Sequence, residues 1–377
     1  MLGFNTDGKC NSGAESRKRR IDGRKPRGPS ADGPEDPPLK FSGAEISDRA
    51  GPNSTCAATM LEFRRPYRTE DRVAKLRISI VEYLNTAPLV WGFTNGPLAG
   101  RYDLSFTLPS QCAEALRRNE ADIAIIPAIE YQRIENLVVL PGMAVAAKNP
   151  VRSILVLAKK PIEMAKRIAL DTSSRSSAAL VRILAAEKWG IDPEFVDAAP
   201  DASQMLETAD AALVIGDPAL RISVKMDQLA GKAPSGKSCC QGDPKDMPVP
   251  GYDSIFTYDV AYEWQELTGK PCVLAIWAGR REAITPEVVA DFQASKEFGL
   301  ARIAEIADGA EEELDLPEKD LEKYLTDNID FSLDAENLEG LELYYKKAAA
   351  LGLIPNAKPL ELADAANLRE SRAGAAR

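Results

Sequence analysis

Among its 377 residues the chain has no histidine. That removes the commonest general base and the commonest metal ligand from any mechanism. Proton transfer is left to a carboxylate, tyrosine, lysine, cysteine or the substrate itself. Cysteine is sparse as well. Cys10, Cys56, Cys112, Cys239, Cys240 and Cys272 show no paired C-x-x-C spacing, and the adjacent Cys239 and Cys240 sit in a stretch rich in Gly, Pro and Lys, so reduced thiols are expected. No run of about eighteen apolar residues occurs, and the N-terminus lacks the apolar segment of a signal peptide. The expectation is a soluble, cytoplasmic protein. Positive charge is the minority sign: 47 Lys plus Arg face 57 Asp plus Glu, for a net charge of -10 and a pI near 5.0. Neither nucleic acid nor an anionic membrane is expected as a partner.

What is present suffices for more than one core. The length exceeds what a single hydrophobic core usually serves, and 45% of residues are hydrophobic, so two lobes are expected. Residues 1–72 are rich in Gly, Pro, Ser, Arg and Asp without apolar periodicity and read as a disordered extension; the cluster Arg17 to Arg20 reads as a solvated tail. From Leu76 short apolar strands alternate with amphipathic helices: LRISIV, DLSFTLP, a helix from Gln111 to Arg118, ADIAIIP and NLVVLPG. Two longer apolar segments, 143–159 and 271–279, bracket a second series containing RIALD, a helix from Ala178 to Trp189, EFVDA, a helix from Ala202 to Thr208, and AALVIGD. Bracketing segments of this kind suit a two-strand hinge. The division expected is a discontinuous first lobe of 73–157 plus 273–360, a second lobe of 158–272 with a loop insertion at 228–258, and a disordered tail of 361–377. The overall class is α/β, with a ligand cleft between two lobes.

In open α/β sheets ligands lie beyond the carboxyl ends of the strands, and four such ends here carry small polar groups. The richest is Asp171-Thr172-Ser173-Ser174-Arg175-Ser176-Ser177, between the apolar run ending at Leu170 and a helical run starting at Ala178. Unpaired N–H groups and a positive helix end, joined by five hydroxyls and a guanidinium, suit a carboxylate or similar oxyanion. A cap needs one hydroxyl and this loop supplies five, which favours ligand binding. The second is Asn85-Thr86 in ISIVEYLNTAPL, just ahead of Pro88. Asn85 is either a helix cap or an amide that donates to one substrate oxygen while accepting from a hydroxyl. Ser110, after Leu108-Pro109, is either an N-cap or a ligand contact. Asp217 in IGDPAL would repel an anion, so it caps a helix or meets a ligand hydroxyl. Arg152 in NPVRSILV either reaches the cleft or is solvated.

Taken in order, YLNTAPL, LPSQCAEAL, ADIAIIPAIEY, NPVRSILV, DTSSRSSAAL, LVIGDPAL and EWQELTGKPCVLAIWAG resemble the chorismate dehydratase family of the futalosine route to menaquinone, over about Leu76 to Pro355. The resemblance implies the two-lobed fold of type II periplasmic binding proteins and a hydro-lyase acting on the small molecule chorismate. It implies loss of a ring hydroxyl and the neighbouring ring proton to give 3-[(1-carboxyvinyl)oxy]benzoate and water, with no cofactor. The substrate's own enolpyruvyl carboxylate would then serve as base, with Asn85 positioning the enolpyruvyl side chain or ring hydroxyl, and Ser174, Ser176, Ser177 and Ser110 binding carboxylates. Two features depart from the family pattern, the extension before Leu76 and the stretch 228–258. A sister family of the same route, dihydroxynaphthoate synthase, shares the fold but uses a histidine base, which this chain does not have. The rival from another class is a solute-binding protein that captures a small carboxylate without transforming it. A ligand-sensing regulator would want a helix-turn-helix, and the N-terminal segment shows no such periodicity.

Overall fold

The computed structural model describes residues 75–230, 237–241, 247–252 and 254–363. The disorder expected for 1–72 and for most of 361–377 lies outside these residues. The chain opens with β1 (Arg77–Val81), a 3-10 turn at Leu84–Thr86 and α1 (Ala87–Thr94), then β2 (Asp103–Thr107), α2 (Pro109–Arg117) and β3 (Ile123–Pro127). After a 3-10 turn at Ala128–Gln132 come β4 (Leu137–Ala147) and β5 (Ile154–Ala158), then β6 (Arg167–Asp171), α3 (Arg175–Leu184), β7 (Glu194–Ala198), α4 (Ala202–Thr208), β8 (Ala211–Ile215) and α5 (Gly216–Ala230). β9 (Lys237–Gln241), β10 (Ser254–Asp259), α6 (Val260–Thr268) and β11 (Cys272–Arg280) lead to the C-terminal helices α7 (Pro286–Leu300), α8 (Ile303–Leu314), α9 (Glu318–Lys323) and α10 (Ala335–Ala350).

The strands form two sheets, ordered β2-β1-β3-β11-β4 and β7-β6-β8-β5-β10-β9. Each has a parallel βαβ half, and β3, β5 and β8 are buried along their whole length. Uninterrupted apolar sequences such as IAIIP and AALVI are what a strand covered on both faces requires. β11, arriving from the second lobe, runs antiparallel between β3 and β4 and closes the first sheet. α7 and α10 then pack on that lobe, so it is discontinuous in sequence. Several helix starts follow the expected capping chemistry: Asp201 caps α4, Thr285 caps α7 with Pro286 in its first turn, and Asp334 caps α10.

The apolar segment 143–159 is not one hinge strand. β4 ends at Ala147 and β5 starts at Ile154 in the other sheet, ahead of the boundary expected after 157. Pro150 brings no N–H to a ladder, and Arg152 adopts a left-handed φ of 65°. The crossing is held by the buried Asp259 carboxylate, which accepts from the backbone N–H of Val151 at 3.1 Å and of Arg152 at 2.6 Å while capping α6 through Ala261 and Tyr262. Nor is 228–258 a plain loop. It contains the end of α5, β9 and most of β10, with the pairs Ile255–Cys240 and Phe256–Cys239 in register. Residues 361–363 are ordered against β4, where the Ala363 N–H donates to the Val139 carbonyl at 2.8 Å. Cys112 and Cys272 are buried free thiols.

Candidate functional site

Where the two lobes face each other, a cavity of about 50 Å³ lies at the carboxyl ends of β1, β3, β6 and β8, with β4, β5 and β11 contributing to its walls. It has room for on the order of four waters. Its polar lining is Tyr83, Asn85 and Thr86 from the first lobe, Ser153 from the crossing, and Ser174, Ser177 and Gly216 from the second. The apolar lining includes Val81, Pro127, Ile154, Ile215 and Leu274. Among the described residues that line it there is no lysine, arginine or carboxylate, and Tyr83 is the one ionisable side chain. Burial pushes the Tyr83 hydroxyl up to about 12, and the nearby Ser173 side chain only partly opposes this. Near neutral pH it is therefore a hydrogen-bond donor and not a base.

Each polar wall is built by local rules. Ser174 is the N-cap of α3 and accepts from the Ser177 N–H at 3.4 Å, while its own hydroxyl donates to Ser177 Oγ at 2.7 Å. Both serines are buried at the positive end of the helix. Asn85 and Thr86 occupy the 3-10 turn, where Thr86 Oγ1 donates to Asn85 Oδ1 at 3.3 Å. Ser153 accepts from the buried Tyr324 hydroxyl at 2.8 Å. Gly216 has a φ of 66°, and a Cβ there would lie 2.7 Å from the Tyr83 ring, so the close seating of that ring needs glycine.

The serine-rich loop divides by role. Ser174 and Ser177 face the cavity; its other members do not line it. Thr172 is exposed and its hydroxyl reaches the Ala198 carbonyl at 3.4 Å. Ser173 donates to Asp171 through its N–H at 2.8 Å and its hydroxyl at 2.6 Å. Burial raises the Asp171 carboxyl above its ordinary range despite these bonds. Ser176 Oγ accepts from the Ile129 N–H at 3.2 Å, a contact between lobes. Arg175 pairs with Glu114 at 2.8 Å and with the fully buried Glu130 at 2.9 Å. Glu130 also holds Arg117 at 2.5 Å and Arg133 at 2.9 Å, and these guanidinium groups keep its carboxyl below its ordinary range against the effect of burial.

Three further candidates are not in the serine loop and do not line the cavity. Ser110 is not an N-cap, since Leu108 takes that position; its N–H donates to the Ser173 carbonyl at 3.0 Å across the cleft. Arg152 is turned away by its left-handed backbone, donating to Ser223 Oγ at 3.2 Å and pairing with Asp227 of α5. Asp217, in the first turn of α5, accepts from the Leu84 N–H at 3.2 Å and lines a separate pocket of about 330 Å³ beyond Tyr83. Arg221 from the same helix donates to the Leu314 carbonyl at 2.8 Å. Asp217, Arg221, Ser110, Ser176 and Arg175 thus bind lobe to lobe, and the structure is closed.

The profile of a family described as menaquinone biosynthesis matches residues 76–350. The chain belongs to that family. It is 26% identical over 278 residues to a protein of Thermus thermophilus named chorismate dehydratase, covering 73% of this chain and 95% of that one. Among solved structures it is similar to protein AF1704 from Archaeoglobus fulgidus, with a TM-score of 0.55 at 18% identity over 75% of this chain and 100% of that one. It is also similar to the alkanesulfonate-binding protein SsuA from Xanthomonas axonopodis pv. citri bound to MOPS, with a TM-score of 0.52 at 17% identity over 75% of this chain and 95% of that one. The fold is the two-lobed one of the type II periplasmic-binding-protein class.

Sequence reasoning did not single out Ser153, Tyr83, Gly216 or Tyr324. Ser153 is masked by the charge of its neighbour Arg152, and Gly216 by that of Asp217. A tight strand-to-helix turn was the available signal for Gly216. Tyr324 has no local signal, because the chain brings it up behind Ser153 from 171 residues further along.

Proposed function

We propose that this protein is a chorismate dehydratase, a hydro-lyase that converts chorismate to 3-[(1-carboxyvinyl)oxy]benzoate and water in the futalosine route. The observation that carries the reading is the makeup of the cavity: neutral amide and hydroxyl groups of Asn85, Ser153, Ser174 and Ser177, with no ionised side chain in the lining. Such a wall receives a carboxylate without neutralising it. A carboxylate left charged can act as a base.

Chorismate supplies what the wall does not. The ring proton on the carbon that carries the ether oxygen is acidified by conjugation through the ring diene to the ring carboxylate, which gathers charge as the proton leaves. Donors aimed at that carboxylate stabilise the enolate-like transition state by roughly 3 to 4 kcal/mol each when well placed. The enolpyruvyl carboxylate takes the proton, the neighbouring hydroxyl departs, and the ring becomes aromatic. In this reading Ser174 and Ser177 at the end of α3 hold one carboxylate, and Asn85 positions the enolpyruvyl group or the departing hydroxyl. A cavity with room for a few waters does not admit a ring diacid, so the lobes part to load substrate and the lobe-to-lobe bonds re-form around it.

The test is to incubate purified protein with chorismate, following loss of diene absorbance alongside the mass of the product. Unchanged chorismate with measurable binding would favour a solute-binding role instead. Asn85→Asp keeps the shape and adds a charge beside the substrate. It is expected to lower dehydration by at least about tenfold, since an acceptor replaces a donor, and a wild-type rate would show that Asn85 does not hold the substrate.

A further inference from the structure

A hydroxyl that accepts a hydrogen bond keeps its own proton for another partner, so the neighbours of a polar wall decide whether it offers protons or lone pairs. Tyr324 lies in the wide turn 324–328 that continues α9, is fully buried, and is not among the residues lining the cavity. Its hydroxyl donates to Ser153 Oγ at 2.8 Å. The phenol is the more acidic of the two hydroxyls, which sets that direction. The Asn85 side chain lies near the same phenol. Asn85 Oδ1 is itself engaged by the Thr86 hydroxyl at 3.3 Å. With its carbonyl oxygen occupied, Asn85 keeps its N–H groups for the cavity. Ser153, with a lone pair occupied, keeps its O–H for the cavity.

We infer that Tyr324 is a positioning residue whose hydroxyl holds Ser153 with its proton turned toward a bound carboxylate, and that Ser153 is a ligand-binding group. The inference deepens the dehydratase reading and rests on it. The arrangement parallels the other wall, where Ser177 accepts from Ser174 and likewise retains its proton. On each wall one hydroxyl that accepts from its neighbour, Ser153 or Ser177, thus keeps its own proton for the cavity.

The experiment is a double-mutant cycle on the full chain with Tyr324→Phe and Ser153→Ala. Each single variant is expected to lower kcat/KM for chorismate by about tenfold to a hundredfold. Because Tyr324 acts through Ser153, the double variant should be no worse than Ser153→Ala by more than about twofold. A purely structural role for the phenol would instead give losses that multiply, and that outcome overturns the inference. So does a wild-type kcat/KM for Tyr324→Phe. Thermal melts show whether each variant folds. Should Tyr324→Phe not fold, Ser153→Ala decides alone, since wild-type kcat/KM in that variant also overturns the inference. If wild-type protein binds chorismate without consuming it, the dehydratase reading fails and the same cycle is read on Kd. If it neither binds nor consumes chorismate, both fall.

Discussion

Replacing Asp217 by asparagine should stabilise the protein near neutral pH and leave turnover intact. Burial pushes the Asp217 carboxyl from 3.8 up to about 6, against the opposing effects of the Leu84 N–H and the Arg221 charge. The folded state therefore holds its proton over a window in which the unfolded chain has lost it. Between about pH 4 and pH 6 the folded form binds more protons than the unfolded one, so the contribution of this group to stability falls as pH rises through that window. A displacement of that size corresponds to about 3 kcal/mol. The positive end of α5 returns about 0.3–1 kcal/mol to the ionised form. Solvent screening of this partly buried group takes a further share. A net penalty of about 1–2 kcal/mol at pH 7 remains. The amide introduced by Asp217→Asn would still accept from the Leu84 N–H and would carry no charge to desolvate. Denaturant unfolding of both proteins at pH 7 and pH 4 reads the effect. The variant should be more stable by about 1–2 kcal/mol at pH 7, and the gap should nearly vanish at pH 4. An equal gap at both values, or a more stable wild type at pH 7, would refute the argument. A large loss of chorismate turnover would show that the carboxylate meets the ligand after all.

Glu130→Ala leaves Arg117, Arg133 and Arg175 facing one another around an emptied buried site, and should cost about 3–5 kcal/mol in denaturant unfolding. Gly216→Ala combines a positive φ with a Cβ 2.7 Å from the Tyr83 ring. The backbone strain alone is worth about 1–2 kcal/mol, so the melting temperature should fall, and the displaced ring should raise KM for chorismate; an unchanged KM would mean that Tyr83 does not close the cavity.

The strand ends that face the cleft were legible in the sequence because the pattern there is local. ISIV ahead of Asn85-Thr86, RIALD ahead of the serine loop, and AALVI ahead of Gly216 are each an apolar run handed over to a helix start. The same rules mark Ser174, whose spacing to Ser177 spans one helical turn. The roles within the loop were not legible. Alternate residues around a helix start point in different directions, so Ser174 and Ser177 turn to the cavity while Ser176 and Arg175 turn to the first lobe. Arg152 shows the same limit: its charge is visible in the sequence, but its positive φ is not.

Composition and periodicity by themselves determined that this chain is an α/β protein with two apolar series, that its ligand chemistry runs without imidazole, and that hydroxyls and an amide cluster at strand ends. These properties follow from each residue and its near neighbours. Only the tertiary structure decided which of those groups share a cavity, that Tyr324 backs Ser153 from the far end of the chain, and that the loop's arginine is consumed by buried Glu130. Those pairings join segments far apart in sequence, and the packing of two lobes against each other, which no local pattern encodes, selects among them.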